Sequence, residues 1–477
     1  GFCCLLMPRM GLRLLHLHLH GLFRSHGLEL GRDADTGGQT LYVLELVKHL
    51  AQQPDVDQVD VVTRLIKDPQ VSADYAVSEE CIASKARILR FSFGPDRYLR
   101  KERLWPHLMQ LVDQLVDHLR QPGQMVDWIH AHYADAGLVG SLVSERLGIP
   151  LVFTGHSLGR EKQRRLLAAG GDLMQMERLY AISARIAAEE RALAKADLVI
   201  TSTRQEAEKQ YSLYSNFQLQ RAHVVPPGVD SSRFHPSASL SEQAELNQLL
   251  HPFLRDPSKP PLLAISRAVR RKNIPALVDA FGQSDALRRQ FNLVLVLGCR
   301  EDPRQLAEQQ REVFQQVFEL VDHHNLYGSI AYPKQHRRDH IPAMYRWAAR
   351  RQGLFVNPAL TEPFGLTLLE AAACGLPMVA TDDGGPQDIQ ARCGNGLLVD
   401  VTKPGGLQSG LEQAATAGDL WRRWSDNGVE AVSRHFSWDA HVRHYLALMD
   451  ASVDQIPRVR PVPHRSRTTP ARPLISC

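Results

Sequence analysis

Short apolar runs alternate along this chain with longer stretches in which apolar side chains recur every three or four positions. The first kind predicts buried strands and the second amphipathic helices. In the first half, strands are expected at Leu12–His20, Val59–Thr63, Arg87–Phe91, Val126–His132, Pro150–Thr154, Leu198–Ser202 and Ala222–Val225. Helices are expected between them at Thr40–Leu50, Leu104–Leu119, Ala134–Leu147 and Ile182–Ala196. The pattern breaks at Pro226-Pro227-Gly228, and residues 231–260 are polar, which puts a domain boundary there. A second series has strands at Pro261–Ser266, Phe291–Gly298, Ser329–Tyr332, Gly353–Asn357, Met378–Ala380 and Gly396–Val399. Its helices fall at Ile274–Phe281, Gln305–Val321, Ile341–Ala349, Leu366–Ala373, Leu407–Ala417, Leu420–Phe436 and Trp438–Met449. Strand–helix alternation of this kind predicts an α/β chain of two Rossmann-like domains with parallel sheets. They are expected over residues 11–230 and 231–435, with a helix over 436–450 packing back toward the N-terminal domain.

Composition agrees with this division. A chain of 477 residues exceeds one ordinary core. A hydrophobic fraction of 44% with 23% charged residues is that of a globular protein. The net charge of +4 gives no argument for nucleic acid. No apolar run approaches the ~20 residues of a membrane span, so no membrane association is expected. The seven cysteines are scattered and odd in number, and no Cys-x-x-Cys pair occurs, which fits a reducing cytoplasm better than a disulfide framework. The opening GFCCLLMPRM is too short for a signal peptide, and Met7 or Met10 is expected nearer the true start. Residues 451–477, rich in Pro and Arg without periodicity, are expected to form a disordered basic tail.

Candidate chemistry gathers where strands meet helices. The loop Leu30–Gln39 holds Gly37-Gly38-Gln39 just before a helix, a unit that aims backbone amides at an anion. The GxGxxG spacing of dinucleotide sites is absent from it. Asp33–Thr36 superficially matches an aspartyl phosphatase motif, but no hydrophobic strand precedes it. Alternation would set His16, His18 and His20 on one strand face as a possible metal trio, without a supporting cysteine or carboxylate cluster. Tyr133, His156 and Ser157 lie at strand ends, where open α/β sheets gather ligands. Arg160, Lys162, Arg164 and Arg165 follow directly, a cation cluster suited to phosphate. In the second half, Arg267, Arg270, Arg271 and Lys272 stand between a strand end and a helix start. Glu362 and Glu370, eight positions apart, flank another helix start. Two carboxylates beside exposed amides suit a ligand with both hydroxyls and phosphates, such as a nucleotide sugar.

Several long stretches resemble one family. They are Glu29–Leu50 (ELGRDADTGGQTLYVLELVKHL), Ser266–Asn273 (SRAVRRKN), Tyr332–His336 (YPKQH), Asn357–Pro377 (NPALTEPFGLTLLEAAACGLP) and Phe436–Leu446 (FSWDAHVRHYL). In this order they are similar to the sucrose-phosphate synthases and sucrose synthases, retaining glycosyltransferases of the GT-B fold, from about Leu12 to Met449. The resemblance implies two domains facing a central cleft, with UDP-glucose held mainly by the second. It assigns Arg267 and Lys272 to the diphosphate, Glu370 to the ribose, Glu362 to the glucose ring, and the amides around Phe364-Gly365-Leu366 to donor oxygens. Gly38 and Gln39 would face acceptor and diphosphate. Lys101, Tyr133, Ser157, Lys162 and Arg185 would surround fructose 6-phosphate, and His156 would lie between the two substrates. His156, Glu362, Arg267 and Lys272 are thus the implied catalytic set. No cofactor or metal is required, with magnesium at most an activator. A sucrose-phosphate phosphatase is a candidate partner.

The segment HSLGREK at His156–Lys162 resembles the enzymes that accept the phosphorylated sugar, whereas sucrose synthase usually shows an HALEK-type segment. Arg160, Lys162 and Arg185 also offer charge that free fructose would not need. The alternatives are a sucrose synthase using free fructose and a non-catalytic sugar-nucleotide-binding homologue. Two positions depart from the family pattern: Val269, where an acidic residue is usual, and Cys374, where histidine is frequent.

Overall fold

In a computed structural model, which describes residues 11–453, two parallel sheets carry the chain. The N-terminal domain contains β1 (Leu12–Leu17), α1 (Gly38–Ala51), β2 (Val56–Arg64), β3 (Glu79–Ala83), β4 (Ala86–Phe91), α2 (Leu108–Arg120) and β5 (Trp128–His132). It continues through α3 (Tyr133–Leu147), β6 (Leu151–Thr154), α4 (Gly159–Ala168), α5 (Leu173–Tyr180), α6 (Ile182–Lys195), β7 (Leu198–Thr201) and β8 (Ala222–Val224). Their order is β3-β4-β2-β1-β5-β6-β7-β8, parallel except for β3 against β4. Strands β6 and β7 are covered on both faces, at Val152, Phe153 and Val199 among others, which is why they read as continuous apolar runs rather than alternating ones.

The second domain contains α7 (Leu240–Leu250), β9 (Pro261–Ile265), α8 (Ile274–Gln283), α9 (Asp285–Gln290), β10 (Asn292–Val296), α10 (Glu308–His323), β11 (Ile330–Ala331) and α11 (His340–Arg350). It is completed by β12 (Leu354–Asn357), α12 (Leu366–Ala373), β13 (Met378–Thr381), α13 (Gly385–Cys393), β14 (Gly396–Val399), α14 (Gly406–Ala415) and α15 (Leu420–Ala431). The sheet order is β11-β10-β9-β12-β13-β14. The last helix, α16 (Trp438–Val453), returns to the first domain, where Trp438, Val442, Tyr445 and Met449 join the core beneath α1. The chain crosses between domains twice side by side, since Val229 N–H donates to Phe436 C=O at 2.8 Å. At Gly228 a Cβ would come 2.5 Å from the Trp438 ring, so only glycine fits that crossing.

Several expectations are corrected. The first strand ends at Leu17, so His16, His18 and His20 do not share a strand face. The polar segment 231–260 contains α7, whose N-cap Ser239 accepts from Glu242 N–H at 3.2 Å. The Ser-x-x-Glu spacing there is a capping signal visible in the sequence. The helix expected from Leu104 starts at Leu108, after a tight turn at Trp105-Pro106-His107. Strand β3 was missed because it is a half-exposed edge strand, and α5 because exposed Leu173, Met174 and Leu179 blur its apolar face. The tail expected from residue 451 begins as helix, since α16 runs to Val453; residues 454–477 and the opening decapeptide lie outside the described residues.

Candidate active site

The carboxyl ends of both sheets open on one cleft, a cavity of about 760 Å³. Lys101, Tyr133, His156, Ser157, Lys162 and Arg185 line it from the first domain, and Thr361, Pro363, Phe364 and Asp383 from the second. Backbone geometry aims two of these groups. Tyr133 begins α3 at φ 80° and His156 follows β6 at φ 60°, left-handed conformations that non-glycine residues adopt only when their surroundings hold them.

Three cations surround one part of the cavity. Arg185 Nη2 donates to Ser157 Oγ at 2.8 Å, and its guanidinium lies 4.7 Å from the Tyr133 ring centroid. Lys101 Nζ reaches Asp35 Oδ1 at 2.8 Å. Lys162 Nζ sits 3.6 Å from the centre of the Tyr180 ring. Burial, helped by the charges of Arg185 and Lys101, brings the Lys162 ammonium down to about 8. Like charges held this close favour a bound anion. Behind them, burial raises Glu189 to about 7, despite Arg185 and two contacts from the Gly159 N–H.

Of the rest of the expected basic cluster, Arg164 and Arg165 also line the cavity but are already paired there, and Arg160 is not in the lining. Arg164 and Arg165 both clamp Glu161, at 2.7 and 3.0 Å. Arg160 pairs with Glu190 at 3.2 Å and stacks on Tyr214, away from the cavity lining. Helical spacing decides this, because Glu161 is one turn before Arg164 and Arg165. The expected histidine trio is dispersed. His16 meets His132, His18 meets Gln39, and His20 meets Asp135, each at 2.9 Å. Gln39 thus turns inward to His18, while Gly38 heads α1 as an exposed glycine. Neither is in the cavity lining.

In the second domain Glu362 is 7% exposed and accepts from Lys272 Nζ at 2.8 Å and Asn357 Nδ2 at 3.0 Å. Burial alone would raise this carboxyl, but the Lys272 charge and these hydrogen bonds hold it below the usual range. Its backbone is pinned by Asp383 C=O and Gly385 N–H. Gly384, at φ 110°, packs against it so closely that a Cβ would lie 2.1 Å from Glu362 O. Glu370 stands one helix further in, where Tyr345 donates to it at 3.4 Å and burial lifts it to about 7. Gly365, at φ 81°, caps α12, with Leu366 exposed at its start. Arg267 is exposed at the end of β9, and the loop that follows is tied to the Glu362 loop by Leu360 N–H to Arg271 C=O at 2.9 Å. Arg271 is pushed down by burial and by Arg267, and it also feels Glu362 and, across the cleft, Arg165.

The structure adds groups that sequence reasoning passed over. Asn357 opens one of the quoted motifs and Asp383 lies just beyond its end, and both are recognisable only by contact. Gln205 Nε2 donates to Asp383 Oδ1 and Arg204 N–H to Asp388 Oδ2, both at 3.0 Å, linking the domains across the cleft. Single polar residues at the ends of elements or on short turns carry no periodicity that would mark them.

Comparison with known proteins bears on both domains. The family model for glycosyl transferases group 1 matches residues 250–431, and that for glycosyltransferase family 4 matches residues 36–233. Sucrose-phosphate synthase 4 of Arabidopsis thaliana is 39% identical over 90% of this chain and 47% of its own length. Probable sucrose-phosphate synthase 2 of Craterostigma plantagineum is 39% identical over 91% of this chain and 47% of its own. The chain thus spans about half the length of these relatives. Among solved structures, a sucrose-phosphate synthase from Thermosynechococcus elongatus superposes with a TM-score of 0.66 at 26% identity, covering 93% of this chain and 100% of that one. HepE of Anabaena, solved with UDP-glucose, has a TM-score of 0.58 at 17% identity over 92% and 100% of the two chains, a likeness of fold.

Proposed function

This chain belongs to the GT-B glycosyltransferases as a homologue of the sucrose-phosphate synthases, and from that premise we propose that it transfers glucose from UDP-glucose to fructose 6-phosphate. The observation that carries the acceptor is the convergence of Lys101, Lys162 and Arg185, with Ser157, on the cavity that His156 lines. A phosphorylated sugar satisfies these charges and a neutral one does not.

In the proposed reaction the bond from glucose C1 to the UDP β-phosphate oxygen breaks. A bond forms from C1 to the acceptor hydroxyl oxygen on the same face, and the departing phosphate takes the hydroxyl proton. The products are sucrose 6-phosphate and UDP. Arg267 and Lys272 stabilise the charge that develops on the diphosphate. Glu362, kept ionised beside Lys272, binds the glucose ring, and Glu370 the ribose hydroxyls. Amides at Phe364, Gly365 and Leu366 hold donor oxygens at the start of α12. Gly38, exposed at the start of α1, is offered to the diphosphate and acceptor while Gln39 stays turned in to His18, and Tyr133 and His156 border the reacting sugars. A protein base is not needed on this route, nor a divalent metal, magnesium being at most an activator. A phosphatase would consume the phosphorylated product.

The test is glucosyl transfer by the purified chain, with UDP-glucose and either fructose 6-phosphate or free fructose. Transfer to the phosphorylated sugar at the higher kcat/KM is expected. Equal or better use of fructose would reject the acceptor, and UDP binding without transfer would reject the activity.

A further inference from the structure

His156 is the outer end of a buried chain of imidazoles. Its Nε2 lies 2.8 Å from His132 Nδ1, and His132 Nε2 lies 2.9 Å from His16 Nδ1. His16 and His132 are fully buried. The chain stops at His16 Nε2, which is buried with no hydrogen-bond partner among the described residues. Burial holds all three rings far below the ordinary histidine range, His16 and His156 at about 3. Each ring is therefore neutral, with one N–H and one bare nitrogen.

Two bonds between three neutral rings allow only two polarities. If the hydrogens point inward, His156 Nε2–H donates to His132 and His132 Nε2–H donates to His16. His16 must then carry its hydrogen on Nε2, leaving a buried N–H with no acceptor. If they point outward, His16 Nδ1–H donates to His132 Nε2, and His132 Nδ1–H donates to His156 Nε2. His16 Nε2 is then a bare lone pair, and the hydrogen of His156 is on Nδ1, the nitrogen left for the cleft. An orphaned buried N–H is the rarer arrangement in folded proteins. We propose that His132 and His16 are positioning residues that lock His156 in its Nδ1–H tautomer, so that His156 presents a hydrogen-bond donor to the cleft rather than a base.

A metal triad is the competing reading, since one ligand nitrogen from each of His16, His130 and His132 lies within 4.8 Å of the others. The ring nitrogens argue against it. His130 Nδ1 and Nε2 meet Tyr445 OH and Thr154 Oγ1, each at 2.8 Å, and both nitrogens of His132 are taken by histidines. The catalytic consequence rests on the proposed transfer reaction, but the tautomer does not.

The tautomer is read from long-range proton–nitrogen spectra of the full chain labelled with ¹⁵N-histidine, in which an N–H nitrogen and a bare one resonate far apart. Nδ1–H is expected for His156, with assignment by loss of its signals in His156→Ala. His132→Leu should abolish that pattern and lower kcat at least ~10-fold while both KM values change by less than about 3-fold. That loss is smaller than the ~10⁴-fold caused by a wrong tautomer where the histidine itself is the base. His132→Asn places an amide N–H where His132 Nδ1–H stood, and should restore both the tautomer and most of kcat. An Nε2–H signal on wild-type His156, or equal impairment of the Leu and Asn variants, would overturn the proposal. So would stoichiometric zinc moving the three imidazole signals together. The Nδ1–H pattern in a protein without transfer activity would reject the proposed function and leave the tautomer lock standing.

Discussion

At Lys162 a single ionisation connects the site to pH. Its ammonium is lowered to about 8 by burial and by Arg185 and Lys101, so it is charged below that pH and neutral above it. In the proposed reaction, kcat/KM for fructose 6-phosphate should fall as pH rises through about 8, up to ~10-fold per unit. Bound phosphate would keep the lysine charged, so kcat should change less. Lys162→Ala should raise the acceptor KM by about 10- to 100-fold, the worth of one charge-assisted hydrogen bond, and should remove the inflection. A flat kcat/KM profile in the wild type would take Lys162 out of the phosphate site. The types and positions of Lys101, Lys162 and Arg185 were readable from the sequence. The fate of Arg160, Arg164 and Arg165 was not, because Glu161 and Glu190 neutralise them through contacts that residue type does not reveal.

Whole elements were legible where their burial is regular. Strands β5, β6, β9 and β10 were found within two or three residues because both of their faces are covered. Strand β3 lies at an edge, so nothing compels an apolar pattern there. Helix α16 belongs in sequence to the second domain's end and in space to the first domain's core. Tyr445 is fully buried and bonded to His130, 315 residues away. Tyr445→Ala should therefore destabilise the protein by about 3–5 kcal/mol, as large-to-small changes of buried aromatics do. Urea unfolding would measure it, and a loss below about 1 kcal/mol would show that α16 contributes little to the first core.

For the molecule as a whole, polar contacts span the cleft. Asp383 Oδ1 accepts from Gln205 of the opposite domain and from Thr361 of its own, each at 3.0 Å, while its backbone carbonyl holds Glu362. Closure and the Glu362 loop are thereby mechanically linked. Asp383→Ala should shift the domains toward an open arrangement, seen as a larger radius of gyration in X-ray scattering, and should lower kcat about 10-fold or more. An unchanged radius with unchanged kcat would mean that Asp383 does not hold the domains together.

The sequence by itself determined two α/β domains and the candidate groups at strand ends, because burial on both faces of a strand and turn chemistry at its end act over a few residues. Its long motifs carried the family. Only the tertiary structure decided which of those groups meet: that Lys162 faces the cavity while Arg160 turns to Glu190, that His16 finds His132 rather than His18, and that Asp383 reaches Gln205. Those pairings join residues up to more than a hundred positions apart, and they follow from sheet order and domain crossing, which no local pattern encodes.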